Sequence, residues 1–139
     1  MATAVKGFVI RDGKLLLIRR VSSEKHYPGI WEVPGGRISD DEDLKGGLKR
    51  EIKEEVGLDV EVIAPLSCHH FVRQDGQEIH MVTFLCKYKG GEVKLGKEHE
   101  AYKWVEIERA SELIHWKFYG DLGTILTWFR RLCQMNRKE

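Results

Sequence analysis

Three glutamates, Glu51, Glu54 and Glu55, have the spacing of neighbours on one face of a helix. Carboxylates placed this closely repel one another unless a cation lies among them. Hard divalent ions prefer oxygen ligands of this kind. The spacing therefore indicates either a divalent-metal site or a solvated acidic face, and the helix alone favours neither interpretation.

A helix over residues 40–56 is predicted to carry the three glutamates. Ser39 followed three positions later by Glu42 has the form of a capping box, and carboxylates there suit the positive end of the helix dipole. Gly57 supplies a helix stop. Between these ends, apolar residues recur at every fourth position and define one buried stripe, formed by Leu44, Leu48, Ile52 and Val56.

Glycines interrupt this helix and also precede it. Gly46 and Gly47 each cost about 1 kcal/mol relative to alanine in a helix interior, so we expect close packing against a neighbouring backbone to compensate. Upstream, Pro34-Gly35-Gly36 predicts a tight turn whose backbone can approach a ligand or offer carbonyl oxygens to an ion. The turn and the acidic face together favour the metal site over the solvated face.

Residues 36–58 fit one long motif in which every fixed position is satisfied. The pattern is G-x5-E-x7-R-E-U-x-E-E-x-G-U, where U is aliphatic, and it runs from Gly36 to Leu58. This segment resembles the Nudix box, and the chain is identified as a member of the Nudix family, MutT-like. The strand before the box, residues 30–36, and Gly96-Lys97-Glu98 followed by Trp104 also resemble MutT-like members. The similarity therefore extends from residue 5 to about residue 113.

The resemblance implies an enzyme that hydrolyses a nucleoside diphosphate linked to another group, with Mg²⁺ as cofactor and Mn²⁺ as a substitute. Divalent ions neutralise the anionic pyrophosphate and activate a water. By resemblance, Glu54 and Glu55 are the principal metal ligands, and the Gly35 carbonyl is a further one. Glu51 either binds the metal or acts as the general base, oriented by Arg50.

A second acidic segment is implied to complete the site. By resemblance, Glu98 is a further metal ligand or the alternative base, and Glu100 is the fallback for that role. Glu42 and Arg50 are expected to form a structural ion pair. Relatives differ in whether the residue matching Glu51 or Glu98 is the base, so both alternatives stay open here.

The substrate class is narrowed by what the chain lacks. Relatives that cleave ADP-ribose often carry a proline beyond the box, and those that cleave dinucleoside polyphosphates often carry a tyrosine there. This chain has Arg73-Gln74-Asp75-Gly76 instead. That favours hydrolysis of a (deoxy)nucleoside triphosphate to the monophosphate and pyrophosphate. The alternatives are a dinucleoside polyphosphate, which the segment from Glu98 to Trp104 also resembles, and ADP-ribose or an NDP-sugar.

A non-catalytic domain that binds nucleotides or RNA is the alternative of another class. Domains of that kind usually lose glutamates of the box, whereas this chain keeps all of them. The expected partner is therefore a small nucleotide substrate, with no stable nucleic-acid partner.

Candidate substrate contacts lie outside the box, and each has a structural alternative. Arg19 could meet phosphate oxygens, or only end a strand. Tyr27 could stack on a base, or only lie in a surface loop. Asp121 lies where some relatives place a base-reading side chain, although capping of a helix is the stronger interpretation. His69-His70 could bind metal or phosphate, but histidines on strands are more often structural or exposed.

The remaining pattern predicts an α/β protein, a mixed β-sheet sandwiched between α-helices. Asp12-Gly13 separates two apolar runs and predicts a hairpin, and Asp75-Gly76 predicts another turn. Strands are expected at residues 5–10, 14–19, 31–33, 60–63, 69–73, 79–88 and 102–105, and helices at 107–114 and 121–135.

Composition sets the outer bounds. The chain has 139 residues and a formal net charge of +1, which predicts a single domain over residues 1–139 with no global field for nucleic acid or anionic membranes. No apolar run is long enough to span a membrane. Three scattered cysteines indicate free thiols, and we expect a cytoplasmic monomer or homodimer. Residues 40–55 hold seven acids and four bases, so the near-neutral total conceals an acidic helix.

Overall fold

The strands and helices of this protein are described by a computed structural model over residues 2–115 and 122–137. The strands are β1 (Ala2–Arg11), β2 (Lys14–Arg20), β3 (Trp31–Glu32), β4 (Gly35–Arg37), β5 (Asp59–Val72), β6 (Glu78–Gly90) and β7 (His99–Glu106). The helices are α1 (Leu44–Val56), α2 (Ile107–Leu113) and α3 (Leu122–Arg137). No helix within these ranges is long and apolar enough to cross a membrane.

The strands form a seven-stranded mixed sheet in the described ranges. Its main path runs β3-β2-β1-β6-β5, with β4 paired to β1 and β7 to β2. β1 turns back into β2 through Asp12 and Gly13, whose φ angles of 52° and 77° are the positive values that a type I′ hairpin requires. β1 then runs parallel to β6, so the sheet brings the start of the chain beside its middle.

Each face of the sheet is covered by helix. On one face, Val5 and Val9 of β1 pack in one buried cluster with Leu48, Ile52 and Val56 of α1. On the other, Phe8 lies in a cluster with Ala110 of α2 and Phe129 of α3, and the two phenylalanine rings are 6.1 Å apart. The predicted sandwich of a mixed sheet between helices is confirmed.

Helix α1 begins later than the sequence pattern predicted. Its first residue is Leu44 and its N-cap is Asp43, which makes no side-chain capping hydrogen bond. Ser39 and Glu42 instead close a turn ahead of the helix, since the Ser39 N–H donates to the Glu42 carboxylate at 3.0 Å. The prediction of a start at residue 40 was wrong because the Ser39–Glu42 turn stands apart from the helix. Its end is as expected, with Gly57 at φ 76°.

The two glycines of α1 have different surroundings. A Cβ on Gly47 would lie 2.6 Å from Cγ2 of Ile38, whereas a Cβ on Gly46 would meet the carboxylate of Asp43, the exposed N-cap residue. Close packing is therefore present at Gly47, but its neighbour is a side chain rather than the backbone we expected.

Strand β5 is continuous where two strands were predicted. It runs through Pro65, with register shifts on both sides of that residue. β5 lies at the end of the sheet path, and an edge strand tolerates proline because one row of its backbone groups needs no ladder partner. Helix α3 begins at Leu122, and the predicted contact residue Asp121 lies outside the described residues.

Candidate metal centre and active site

The turn before α1 meets the last turn of that helix at Glu55. The Gly35 N–H donates a hydrogen bond to Oε1 of Glu55 at 3.1 Å. Gly35 has a φ of 145°, and a Cβ there would collide with the Val5 carbonyl oxygen and lie 2.8 Å from Cα of Lys6. Only glycine fits this position, so the turn at Pro34-Gly35-Gly36 holds its backbone directly against the carboxylate of Glu55.

Glu51 is held one turn earlier on the same face of α1. A Cβ on Gly36 would lie 2.7 Å from Oε2 of Glu51, so this glycine also makes room for a carboxylate. Arg50 lies 3.2 Å from Oε1 of Glu51. Burial raises the pKa of Glu51, and the charge of Arg50 opposes that rise.

Arg50 organises three carboxylates from the helix and the turn before it. Its Nε and Nη2 donate to the two carboxylate oxygens of Glu42 at 2.7 and 2.8 Å, a two-point pairing that fixes the guanidinium. Its Nη1 donates to Glu54 at 3.0 Å. Hydrogen bonds from Arg50 lower the pKa of Glu42 to about 2. The guanidinium therefore reduces the repulsion among these acids.

Glu54 is the most open of the three α1 glutamates. Its side chain is 62% exposed, against 19% for Glu51. It can therefore face an incoming ion or substrate without moving the helix.

The loop before β7 brings a second acid to Glu55. Ligand atoms of Glu55, Glu98 and His99 all lie within 4.8 Å of one another. The Glu98 backbone is fixed because its carbonyl accepts a hydrogen bond from the Val21 N–H at 2.9 Å. Glu98 thus lies beside Glu55 of the helix, whereas Glu100, the fallback, is exposed on β7 and outside this cluster. The roles of both residues stay predictions.

A buried ion-pair network lies behind Glu55. Lys6 donates to Glu32 at 2.7 Å, Arg20 approaches the same carboxylate at 3.4 Å, and His99 Nε2 lies 3.7 Å from it. Burial alone would raise the pKa of Glu32, but Lys6, His99 and Arg20 together lower it to about 2. Glu32 is therefore a fixed anion in the interior.

Glu55 is the carboxylate whose ionisation depends most on its surroundings. Burial raises its pKa to about 7, with Lys6 opposing the rise and Glu32 adding to it. The charged form of Glu55 therefore needs a nearby cation near neutral pH. A set of carboxylate oxygens in which burial disfavours the charge fits a hard divalent ion.

The sequence pattern does not indicate the buried network of Lys6, Glu32 and His99. Lys6 and Glu32 are charged residues within otherwise apolar strands, and nothing in the sequence shows that they pair with each other. One signal was available, since Lys6 alternates in phase with Ala4 and Phe8, which face the core. An inward lysine requires a buried anion, but the sequence did not say which one.

The predicted substrate contacts Arg19 and Tyr27 have partners in and beside the loop between β2 and β3. Arg19 donates to the Gly29 carbonyl at 3.2 Å, and the Tyr27 ring lies 5.6 Å from that of His115. Arg20 is bound to Glu24 and Glu32. Arg19 and Tyr27 therefore lie at the loop between β2 and β3, and their roles toward substrate stay predictions.

Comparison with known proteins gives a consistent family. A family model described as NUDIX domain matches residues 2–129. A "MutT-like protein" of Streptomyces ambofaciens is 35% identical over 112 residues, covering 80% of this chain and 68% of its own. Nucleoside triphosphatase NudI of Escherichia coli strain K12 is 32% identical over 124 residues, covering 82% and 86%.

Solved structures agree on the fold. The MutT protein from Methanosarcina mazei Go1 superposes with a TM-score of 0.79 at 27% identity, covering 94% of this chain and 93% of its own. An Ap4A hydrolase from C. elegans superposes with a TM-score of 0.77 at 22% identity, covering 96% and 98%.

Proposed function

The chain belongs to the NUDIX family and is a pyrophosphohydrolase, and we propose that it converts a nucleoside or deoxynucleoside triphosphate to the monophosphate and pyrophosphate. The single observation that carries this proposal is that Glu98 lies within 4.8 Å of Glu55, one of the three α1 glutamates, so that carboxylates from two segments can share a divalent ion. The names of two relatives, a nucleoside triphosphatase and a MutT-like protein, support this substrate class.

We infer that the cation is Mg²⁺, with Mn²⁺ as a substitute. The residues that would hold it are Glu51, Glu54 and Glu55 of α1, Glu98 of the loop before β7, and the carbonyl oxygen of Gly35. When bound, a divalent ion neutralises the phosphate oxygens and lowers the pKa of a bound water. The oxygen-rich donor set supports a hard ion over a soft one.

The chain's own residues position that chemistry. Arg50 fixes Glu51 and Glu54 by hydrogen bonds and ion pairs, and the Gly35 N–H fixes Glu55. Reacting groups held in this way avoid the entropic cost of assembling them at each turnover.

Two carboxylates compete for the role of general base, Glu51 and Glu98. Loss of a general base lowers kcat by about 10²- to 10⁴-fold. The variant of Glu51→Gln or Glu98→Gln that loses kcat to this extent, while its dependence on Mg²⁺ concentration is unchanged, identifies the base. Glu100→Gln is the matched control on β7 and should retain full activity.

A panel assay tests the substrate class. Nucleoside triphosphates, ADP-ribose, dinucleoside polyphosphates and NDP-sugars are each incubated with the protein and Mg²⁺, and the products are separated by chromatography. We expect the highest kcat/KM on a nucleoside or deoxynucleoside triphosphate. A higher value on one of the other classes would overturn the proposed substrate while leaving the enzyme class intact.

A further inference from the structure

A second group of metal-ligating side chains lies on the hairpin of β5 and β6, apart from the α1 carboxylates. In the register of these strands, His70 is directly opposite His80, and Val72 is opposite Glu78. Cys68 stands two residues before His70. Because side chains two apart on a strand share a face, Cys68, His70, Glu78 and His80 all point to the same side of the sheet.

This side is the one that α1 covers farther along the strands. His80 alternates in phase with Phe84, which is buried in the cluster with α1. At the His80 end, the side chains of His70 and Glu78 are 44% and 57% exposed. Cys68 is an exposed free thiol. All four groups are therefore on an accessible surface or at its margin.

His70 lies close to two other side chains of this surface. The rings of His70 and His80 are 4.9 Å apart between centroids, and Nε2 of His70 lies 3.6 Å from a carboxylate oxygen of Glu78. His70 and Glu78 are diagonal neighbours across the ladder. Cys68 is related to His80 in the same way, since each residue of β5 is diagonal to the residue two positions before its direct partner on β6. The Cys68 side chain can therefore reach toward His80 as His70 reaches toward Glu78.

We propose that Cys68, His70 and His80 form a binding site for one Zn²⁺-type ion, with water in the fourth position. Glu78 is too far from Cys68 to share that ion, because it stands four positions along β6 from Val82, the partner of Cys68, or about 13 Å. Glu78 instead faces His70 at 3.6 Å. Imidazole and thiolate are ligands of tetrahedral zinc, and with Zn–N bonds of about 2.0–2.1 Å two bound nitrogens stand roughly 3.3 Å apart. The two rings are 4.9 Å apart between centroids, so binding requires their side chains to rotate until a nitrogen of each faces the ion. The Cys68 thiol loses its proton to solvent on binding.

The proposed site differs in chemistry from the α1 carboxylates. Nitrogen and sulfur ligands favour zinc and related ions, whereas oxygen ligands favour Mg²⁺. The two sites therefore select different ions, and an excess of Mg²⁺ occupies the carboxylate site without competing at the hairpin.

Cobalt titration in excess Mg²⁺ tests the site through a spectrum rather than through activity. We expect one equivalent of Co²⁺ to bind with a thiolate-to-metal charge-transfer band that Zn²⁺ abolishes. Cys68→Ser should remove the band. His70→Gln and His80→Gln should each weaken binding by at least about tenfold, the scale of losses on disturbing a metal site.

Three controls separate this site from others. His69→Gln alters the next residue, whose ring lies near Phe71 on the opposite face, and should leave binding unchanged, as should Cys133→Ser. Glu54→Gln should keep the band. Wild-type affinity in both His70→Gln and His80→Gln, absence of the band in the wild-type protein, or its loss in Glu54→Gln would each overturn the proposal. Far-UV circular dichroism confirms that each variant is folded.

Discussion

At the scale of single residues, the α1 glutamates divide by burial into different roles. Glu55 is bound to the Gly35 N–H and its pKa is raised to about 7 by burial, while Glu54 is 62% exposed and bound to Arg50. A change at Glu54 therefore tests the proposed metal site with little effect on packing.

Glu54→Gln should lower Mg²⁺-dependent hydrolysis by roughly 100-fold or more, since even residues that only support metal ligands are worth about 10- to 100-fold. The thermal unfolding midpoint without metal should stay close to that of the wild-type protein. Steady-state kinetics and a thermal melt measure the two quantities. Glu112→Gln, an exposed carboxylate on α2, is the control, and equal activity in both variants would contradict the metal assignment.

Glu32→Gln tests the buried pair behind the site. The amide keeps an oxygen that can accept from Lys6, but it removes the negative charge that balances the buried Lys6 ammonium. Breaking a buried pair in this way costs about 3–5 kcal/mol of unfolding free energy, measurable by urea denaturation. The double variant Lys6→Met/Glu32→Gln should recover part of that loss. Additive losses in the double variant would show that the two groups are not coupled.

The surface part of the candidate site could be predicted from residue types and spacing, but the buried ion pairs behind it could not. The spacing of Glu51, Glu54 and Glu55 and the box around them could be recognised from the sequence alone. The pairing of Lys6 with Glu32 could not, because it depends on β1 lying beside the segment that enters the turn. Sequence shows that a buried charge needs a partner; only the fold shows which partner it has.

At the scale of elements, α1 combines an apolar stripe, an acidic face and two glycines. Its existence and its end at Val56 follow from local pattern, because periodicity and a glycine stop are local signals. Its start does not, since Glu42 bonds both to the Ser39 N–H and to Arg50, and the latter is a contact across two turns. The continuity of β5 through Pro65 was also hidden, because edge position is a property of the sheet.

The two glycines of α1 should respond oppositely to alanine. Gly46→Ala should stabilise the protein by up to about 1 kcal/mol through helix propensity, since the exposed Asp43 side chain can rotate away. Gly47→Ala should destabilise it, because the new Cβ meets Ile38 at 2.6 Å. Urea unfolding of both variants measures the difference. Stabilisation by Gly47→Ala would show that Ile38 moves aside freely.

At the scale of the whole molecule, the fold brings together acids that the unfolded chain keeps apart. Glu98 lies far along the sequence from α1, yet its carboxylate lies near Glu55. An ion that binds this arrangement binds the folded state in preference to the unfolded chain, so it must stabilise the protein.

Mg²⁺ should therefore raise the thermal unfolding midpoint in a concentration-dependent manner. At a Mg²⁺ concentration of 100 times Kd, the free energy of unfolding should rise by about 2.7 kcal/mol. Differential scanning calorimetry measures the effect, and K⁺ at matched ionic strength is the control. The rise should be much smaller in Glu54→Gln. An equal rise in that variant would place the binding elsewhere.

The most direct test of the central claim is the identification of products by ³¹P NMR with a nucleoside triphosphate and Mg²⁺. We expect nucleoside monophosphate and pyrophosphate in equal amounts, no product without a divalent ion, and a hydrolysis rate at least about 100-fold lower in Glu54→Gln. Absence of hydrolysis for the triphosphates and for every other member of the substrate panel would contradict that claim and indicate a domain that only binds nucleotides.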